Sequence, residues 1–224
     1  MGLTLFYDLR YPAERSREEA LAAIGALRAR AAQLPVGYVS PLFDLSVESD
    51  DSNESERVAG RRFLRFCAEC LADPFVDDDH PRFTGNADSA FGFAVNAGDR
   101  CETATFGLIR RRADADGREE WFWWSGPKTQ YASLVSEEYF VEAHCRLIAI
   151  LDAAVELGFE VDVRDDGGYW KSRSVDELLR QVRYMNHIVA KFVGKFSDAV
   201  DGQLGVQAPI ASHRDFERLE MDAK

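Results

Sequence analysis

The sequence predicts an α+β fold: a largely antiparallel sheet with a central three-stranded meander, about four helices packed on it, and an N-terminal strand-helix-strand unit that extends it. Three observations carry this reading. Residues 90–131 contain three segments of alternating polarity joined by turn residues. Four other stretches place apolar residues at helical spacing. Ser, Pro and Gly stand where those stretches must start and stop.

The meander is the best-defined part. In its first strand Phe91, Phe93 and Val95 share a side, and Asn96-Ala97-Gly98-Asp99 has turn chemistry. In the second, Ala104, Phe106 and Leu108 share a side, and Asp114-Ala115-Asp116-Gly117 carries the Asp-Gly signal of a tight hairpin. In the third, Trp121 and Trp123 point one way, Phe122 and Trp124 the other. Whichever pair faces the core, two large rings remain on the opposite face, beside Gly92, Ala94, Thr103, Thr105 and Gly107. Two rings of roughly 150–250 Å² each approach the largest apolar patch a monomer exposes. The second face is therefore expected to be covered, by a helix, by the chain's own tail, or by a ligand or partner.

The remaining elements follow in order. Residues 3–9 alternate as a strand, and Ser16-Arg17-Glu18-Glu19 forms a capping box before a helix to about residue 33. Residues 36–47 are extended and broken by Pro41, which suits an edge strand and a parallel crossover from the first strand. After an acidic stretch, Asn53 reads as the N-cap of a helix to about residue 72, with Phe63, Phe66, Cys67, Cys70 and Leu71 as its apolar face. Ser136 caps a helix ending before Gly158, with a core stripe of Phe140, His144, Leu147, Leu151, Ala154 and Val155. A strand at 159–163 precedes Asp165-Asp166-Gly167-Gly168-Tyr169-Trp170, read as a tight hairpin or a pocket rim. Ser174 opens the last long helix. One domain over residues 1–200 with a tail at 201–224 is expected; two lobes divided near residue 85 are the alternative.

Composition narrows the function. The chain has 224 residues, 46% of them hydrophobic, and a formal charge of −12. That charge argues against binding the nucleic-acid backbone, which needs clustered Lys and Arg, and suits a basic protein partner. No apolar run is long enough to span a bilayer, and Arg10 and Glu14 interrupt any signal-peptide core. A cytoplasmic location follows, with Cys67, Cys70, Cys101 and Cys145 as thiols.

Few constellations carry chemistry. Cys67-Ala68-Glu69-Cys70 is a lone C-x-x-C in mid-helix, where no helix N-terminus activates it and no second pair completes a zinc site, so both residues are expected in the core. Asp77-Asp78-Asp79-His80 fits no EF-hand spacing and reads as a solvated loop. No metal or cofactor is expected. G-x-S-x-G, Walker A, H-E-x-x-H and G-x-G-x-x-G are all missing. Ser125-Gly126-Pro127-Lys128-Thr129-Gln130-Tyr131 combines turn residues with groups suited to anion or amide recognition.

Phe106-Gly107-Leu108, Lys128-Thr129-Gln130-Tyr131-Ala132, and Asp166-Gly167-Gly168-Tyr169-Trp170 before a helix with Asn186 together resemble an uncharacterised group of bacterial proteins of unknown function. The resemblance covers residues 91–194 and implies no activity. The leading expectation is a non-catalytic intracellular binding or interaction protein, of the antitoxin or immunity kind, toward a basic partner. The rival is a small-molecule enzyme or ligand-binding domain with its pocket beside the Trp-rich strand. Its candidate residues are Trp121, Trp123, Lys128, Gln130, Tyr131, His144, Tyr169 and Trp170. Oligomeric state is open.

Overall fold

Alternating side chains produce the predicted sheet, which has seven strands among the described residues. The computed structural model describes residues 3–46, 56–72, 89–112 and 119–199. Asn53, the Asp77–His80 loop, the Asp114–Gly117 turn and residues 201–224 lie outside the described residues.

In chain order the elements are β1 (Leu5–Tyr11), α1 (Arg17–Ala31), β2 (Tyr38–Val39), β3 (Phe43–Asp44), α2 (Glu56–Ala72), β4 (Phe91–Asn96), β5 (Ala104–Arg112) and β6 (Glu119–Ser125). A 3-10 turn (Gln130–Leu134), α3 (Glu137–Glu156), β7 (Glu160–Asp165), the one-turn α4 (Tyr169–Ser172) and α5 (Val175–Ala199) complete them. The sheet order is β2-β4-β5-β6-β1-β7, with β3 also paired to β4. Every strand pair among the described residues is antiparallel. Strands from before and after residue 85 pair with each other, so a division there does not exist.

The parallel crossover needs correction. β1 and β2 run the same way but are not neighbours, because β4, β5 and β6 lie between them. Pro41 leaves only two-residue strands on either side of it, too short to compete with the meander for β1. β1 pairs instead with β6 and β7.

β5 joins the two halves of the sheet. It pairs with β4 through residues 104–108 and with β6 through residues 109–112. Trp123 packs where β5 passes from one partner to the other. Its Nε1 donates to the Thr105 carbonyl at 3.0 Å, and Gly107 lies against its ring: a methyl there would come 3.0 Å from Trp123 Cε3 and 2.6 Å from the Phe91 carbonyl oxygen.

One face packs on α1 and α3. Both helices start as their caps predict: Ser16 Oγ accepts from Glu19 N while Glu19 reaches back to Ser16 N, and Ser136 Oγ accepts from Tyr139 N. Tyr7, Leu9, Phe91, Phe93, Phe106, Trp121 and Trp123 are buried beneath them. Of the predicted α3 stripe, Val155 is exposed, since the buried stripe runs through Leu147, Leu151 and Ala154 and leaves Val155 on its flank. No helix among the described residues is long and apolar enough to cross a membrane.

α2 covers β4 and β5 on the other face, and here the predicted apolar stripe is wrong. Leu64 and Ala68 are the buried residues, whereas Phe63 and Phe66 are 41% and 61% exposed and Cys70 is exposed. The reason is closeness. Gly60, Leu64 and Ala68 recur every four residues, and this narrow ridge sits down on the sheet, with Gly60 within 3.5 Å of the Phe43 ring once a Cβ is added. The bulky phenylalanines are pushed to the flank.

Candidate functional site

Two clusters deserve the name of site, and they differ in kind. The first is a polar knot that joins the two motifs singled out in the sequence. At its centre Thr129 Oγ1 lies 2.9 Å from His144 Nδ1, and His144 Nε2 lies 3.4 Å from Asp165 Oδ2. Asp165 also accepts from Gly167 N at 2.7 Å and Trp170 N at 2.8 Å. Gln130 extends the knot: its carbonyl accepts from Leu3 N and its amide donates to Asn186, which in turn donates to Ser133 Oγ. Five segments of the chain are thereby tied together at one point.

Sequence places these groups by simple means. Gly168 has a φ of 73°, a left-handed conformation that turns the chain from β7 into α4. That turn aims two backbone N–H groups at Asp165. The predicted hairpin is therefore absent; Tyr169 and Trp170 form the first turn of α4 instead. Burial alone would raise the Asp165 carboxyl, but His144 and the two N–H groups outweigh it and hold it below the usual carboxylate range. An ionised Asp165 only accepts, so Nε2 of His144 carries the hydrogen facing it, and in the neutral ring Nδ1 accepts from Thr129.

Hydroxyl, imidazole and carboxylate in that order have the connectivity of a hydrolytic triad. The setting denies them a substrate. The side chains of His144 and Asp165 are 1% and 2% exposed, and Thr129 and Gln130 are fully buried. None of these four lines the apolar cleft beside α2 or the depression around Asp8 and Trp124. The knot holds the fold together.

The second cluster is an open apolar cleft of about 620 Å³ between α2 and the end of β6. One wall comes from α2: Phe63, Phe66, Cys67, Cys70 and Leu71. Opposite stand Trp124, Gly126 and Pro127, and Cys101, Thr103 and Thr105 lie along the floor. Trp124 is 46% exposed, and its ring stacks at 6.1 Å on Phe6. Thr105 and Ser125, the buried hydroxyls at the floor, are used up within the protein: Thr105 Oγ1 lies 3.2 Å from Ser125 Oγ and accepts from Trp123 Nε1. The one charged lining residue, Glu102, pairs with Lys128 at 3.4 Å. Three of the four cysteines line the cleft. Burial pushes the Cys67 and Cys101 thiols up to about 11, so they stay protonated at neutral pH. Among the described residues no group of three His, Cys, Asp or Glu side chains is placed to hold a metal ion.

The structure scatters the predicted site residues. Trp121 and Trp123 are core, with Trp121 Nε1 donating to the Arg15 carbonyl. Gln130 and His144 belong to the knot, and Tyr169 packs edge-on against His144 at 6.4 Å. Trp170 is half-buried beneath Arg173, whose guanidinium carbon is 4.7 Å from its ring. Tyr131 is half-buried in the 3-10 turn, and Lys128 stands at the cleft rim with Glu102. Thr129, Asp165 and Asn186 of the knot lie in segments singled out in the sequence but are not among the candidate site residues, and neither are Ser133 of the knot or Trp124 and Cys101 of the cleft. A signal for Trp124 existed: it is the last aromatic before Ser125-Gly126-Pro127, so nothing downstream on its strand shields it. Comparison of the chain with protein-family models, with curated proteins and with solved structures finds no match, and the geometry is what the functional reading rests on.

Proposed function

We propose that the protein is a non-catalytic binding protein whose cleft between α2 and β6 receives a neutral, largely apolar small molecule. The carrying observation is the combination of open aromatic walls with a described lining whose one charged side chain, Glu102, is already paired with Lys128. The cleft volume falls within the roughly 300–1,000 Å³ of small-molecule sites. Phe63, Phe66 and Trp124 supply flat apolar surface that gains by leaving water. Glu102 already has a cation, and no cation lines the cleft to receive an anionic head group. The half-buried Cys67 and Cys101 thiols give a soft, polarisable surface and stay protonated at neutral pH. An intracellular setting keeps those thiols reduced.

The test is titration with a neutral environment-sensitive dye, N-phenyl-1-naphthylamine. Saturable one-to-one fluorescence enhancement is expected, reduced at least tenfold in affinity by Phe66→Asp. Phe66 is mostly exposed, so this change leaves the fold intact. Equal enhancement by wild type and Phe66→Asp would refute the cleft as the binding place.

A further inference from the structure

We infer a second binding place next to the cleft: the row Trp124–Asp8–Asp162 receives an arginine side chain of a basic protein partner. On the face opposite α1 and α3, Trp124 of β6 stands across from Asp8 of β1, and Asp8 across from Asp162 of β7. The three side chains therefore point the same way in one line. With Phe6 and Arg164 they border a depression of about 410 Å³.

The same face shows what such a row holds when filled. Phe122, two residues before Trp124, is only 5% exposed. It is sealed by the Arg111 guanidinium, 3.3 Å from the ring centre, while Arg111 bonds Glu120 at 2.8 Å. Arg10 adds a second cation 5.4 Å from the ring and bonds Asp8 at 3.1 Å. Phe6 is capped by Arg164 at 4.0 Å. Guanidinium groups thus cover two of the rings on this half of the sheet, and at Phe122 they are also bonded to carboxylates. Trp124 is the third ring here, and among the described residues no guanidinium lies over it. Asp162, on the far side of Asp8, accepts no hydrogen bond among the described residues. A ring and a carboxylate are in place, and the guanidinium that lines the depression, Arg164, lies over Phe6 and not over Trp124.

Three physical points select arginine from a protein. A planar guanidinium stacks on an indole and bonds a carboxylate at the same time, which an ammonium does less well. Burial raises the Asp8 carboxyl, so an incoming cation relieves a carboxylate already half removed from water. The net charge of −12 attracts a basic protein over long range and speeds encounter. This surface shares only Trp124 with the apolar cleft and does not depend on the cleft being occupied.

The test compares a nonameric arginine peptide with a nonameric lysine peptide by calorimetry at physiological salt. Binding of the arginine peptide at least tenfold tighter than the lysine peptide is expected, with at least a tenfold loss in Trp124→Ala and in Asp162→Asn. Trp124→Phe, which keeps a ring, should recover most of the affinity. Phe66→Asp, on the cleft side only, should leave peptide binding unchanged, so failure of the cleft and failure of this row are distinguishable. Equal affinity for the two peptides, or no effect of Asp162→Asn, would overturn the proposal; so would saturable binding of a neutral disaccharide at Trp124 with no arginine preference.

Discussion

The polar knot and the apolar cleft invert the usual assignment of roles. The knot has the residues one looks for in an active site, and it is shut. The cleft has the residues one looks for in a core, and it is open. The difference lies in who satisfies whom. In the knot each polar group finds a partner in another segment of the chain, so burial costs little and water has no reason to enter. In the cleft the walls are rings whose neighbours among the described residues do not cover them. Titratable residues near one another are therefore poor evidence of catalysis until their access to solvent is known.

Mutations at the two places should separate along that line. The largest expected effect is Asp165→Ala, which strands His144 Nε2 and the Gly167 and Trp170 N–H groups. A loss of about 4 kcal/mol in urea unfolding is expected, with dye affinity of the folded protein unaltered. A stability loss under about 1 kcal/mol would mean that the knot is not structural. The same carboxyl sets an acid limb. Its folded pKa is lowered, so its contribution is complete above the unfolded value of about 3.9 and is lost as pH falls through the lower folded value. Asp165→Asn should flatten the stability profile in that window, read by denaturation between pH 2 and 5.

Gln130→Ala comes next. It leaves Leu3 N–H and the Asn186 amide without their partner, for about 3 kcal/mol. Hydrogen exchange should show the N-terminal end of β1 opening first. Gly107→Ala sharpens a different boundary, since its methyl meets the Phe91 carbonyl and the Trp123 ring; about 2 kcal/mol is expected from thermal unfolding. Trp124→Ala should be the mildest for stability, within about 1 kcal/mol because the ring is half exposed. It should be the most damaging for binding, abolishing both dye enhancement and arginine preference. If Trp124→Ala unfolds the protein, the cleft is part of the core and the contrast collapses.

Much of the fold was legible. The meander, both helix caps at Ser16 and Ser136, and the core role of Phe91, Phe93 and Phe106 follow from period and capping chemistry alone. Parts of the site were legible too. Lys128 to Ala132, Asp166 to Trp170 and Asn186 stood out as motifs, and the fold brings their neighbourhoods to one point. What could not be read was that Thr129 and Asp165 are the residues that meet His144, because hydrogen bonds between residues 15 and 21 apart depend on how α3 lies across β7. Likewise, no periodicity distinguishes Phe122 from Trp124. Their fates part because Arg111 and Arg10 reach one ring and not the other.

By itself the sequence determined the local states: where strands alternate, where helices begin, which stretches carry enough apolar surface to be buried. Those depend on a few neighbouring residues and on backbone geometry. Only the tertiary structure decided which polar groups are sealed and which rings stay open. That choice depends on packing distance, and here the narrow Gly60–Leu64–Ala68 ridge lets α2 settle on the sheet and turns Phe63 and Phe66 outward beside Trp124.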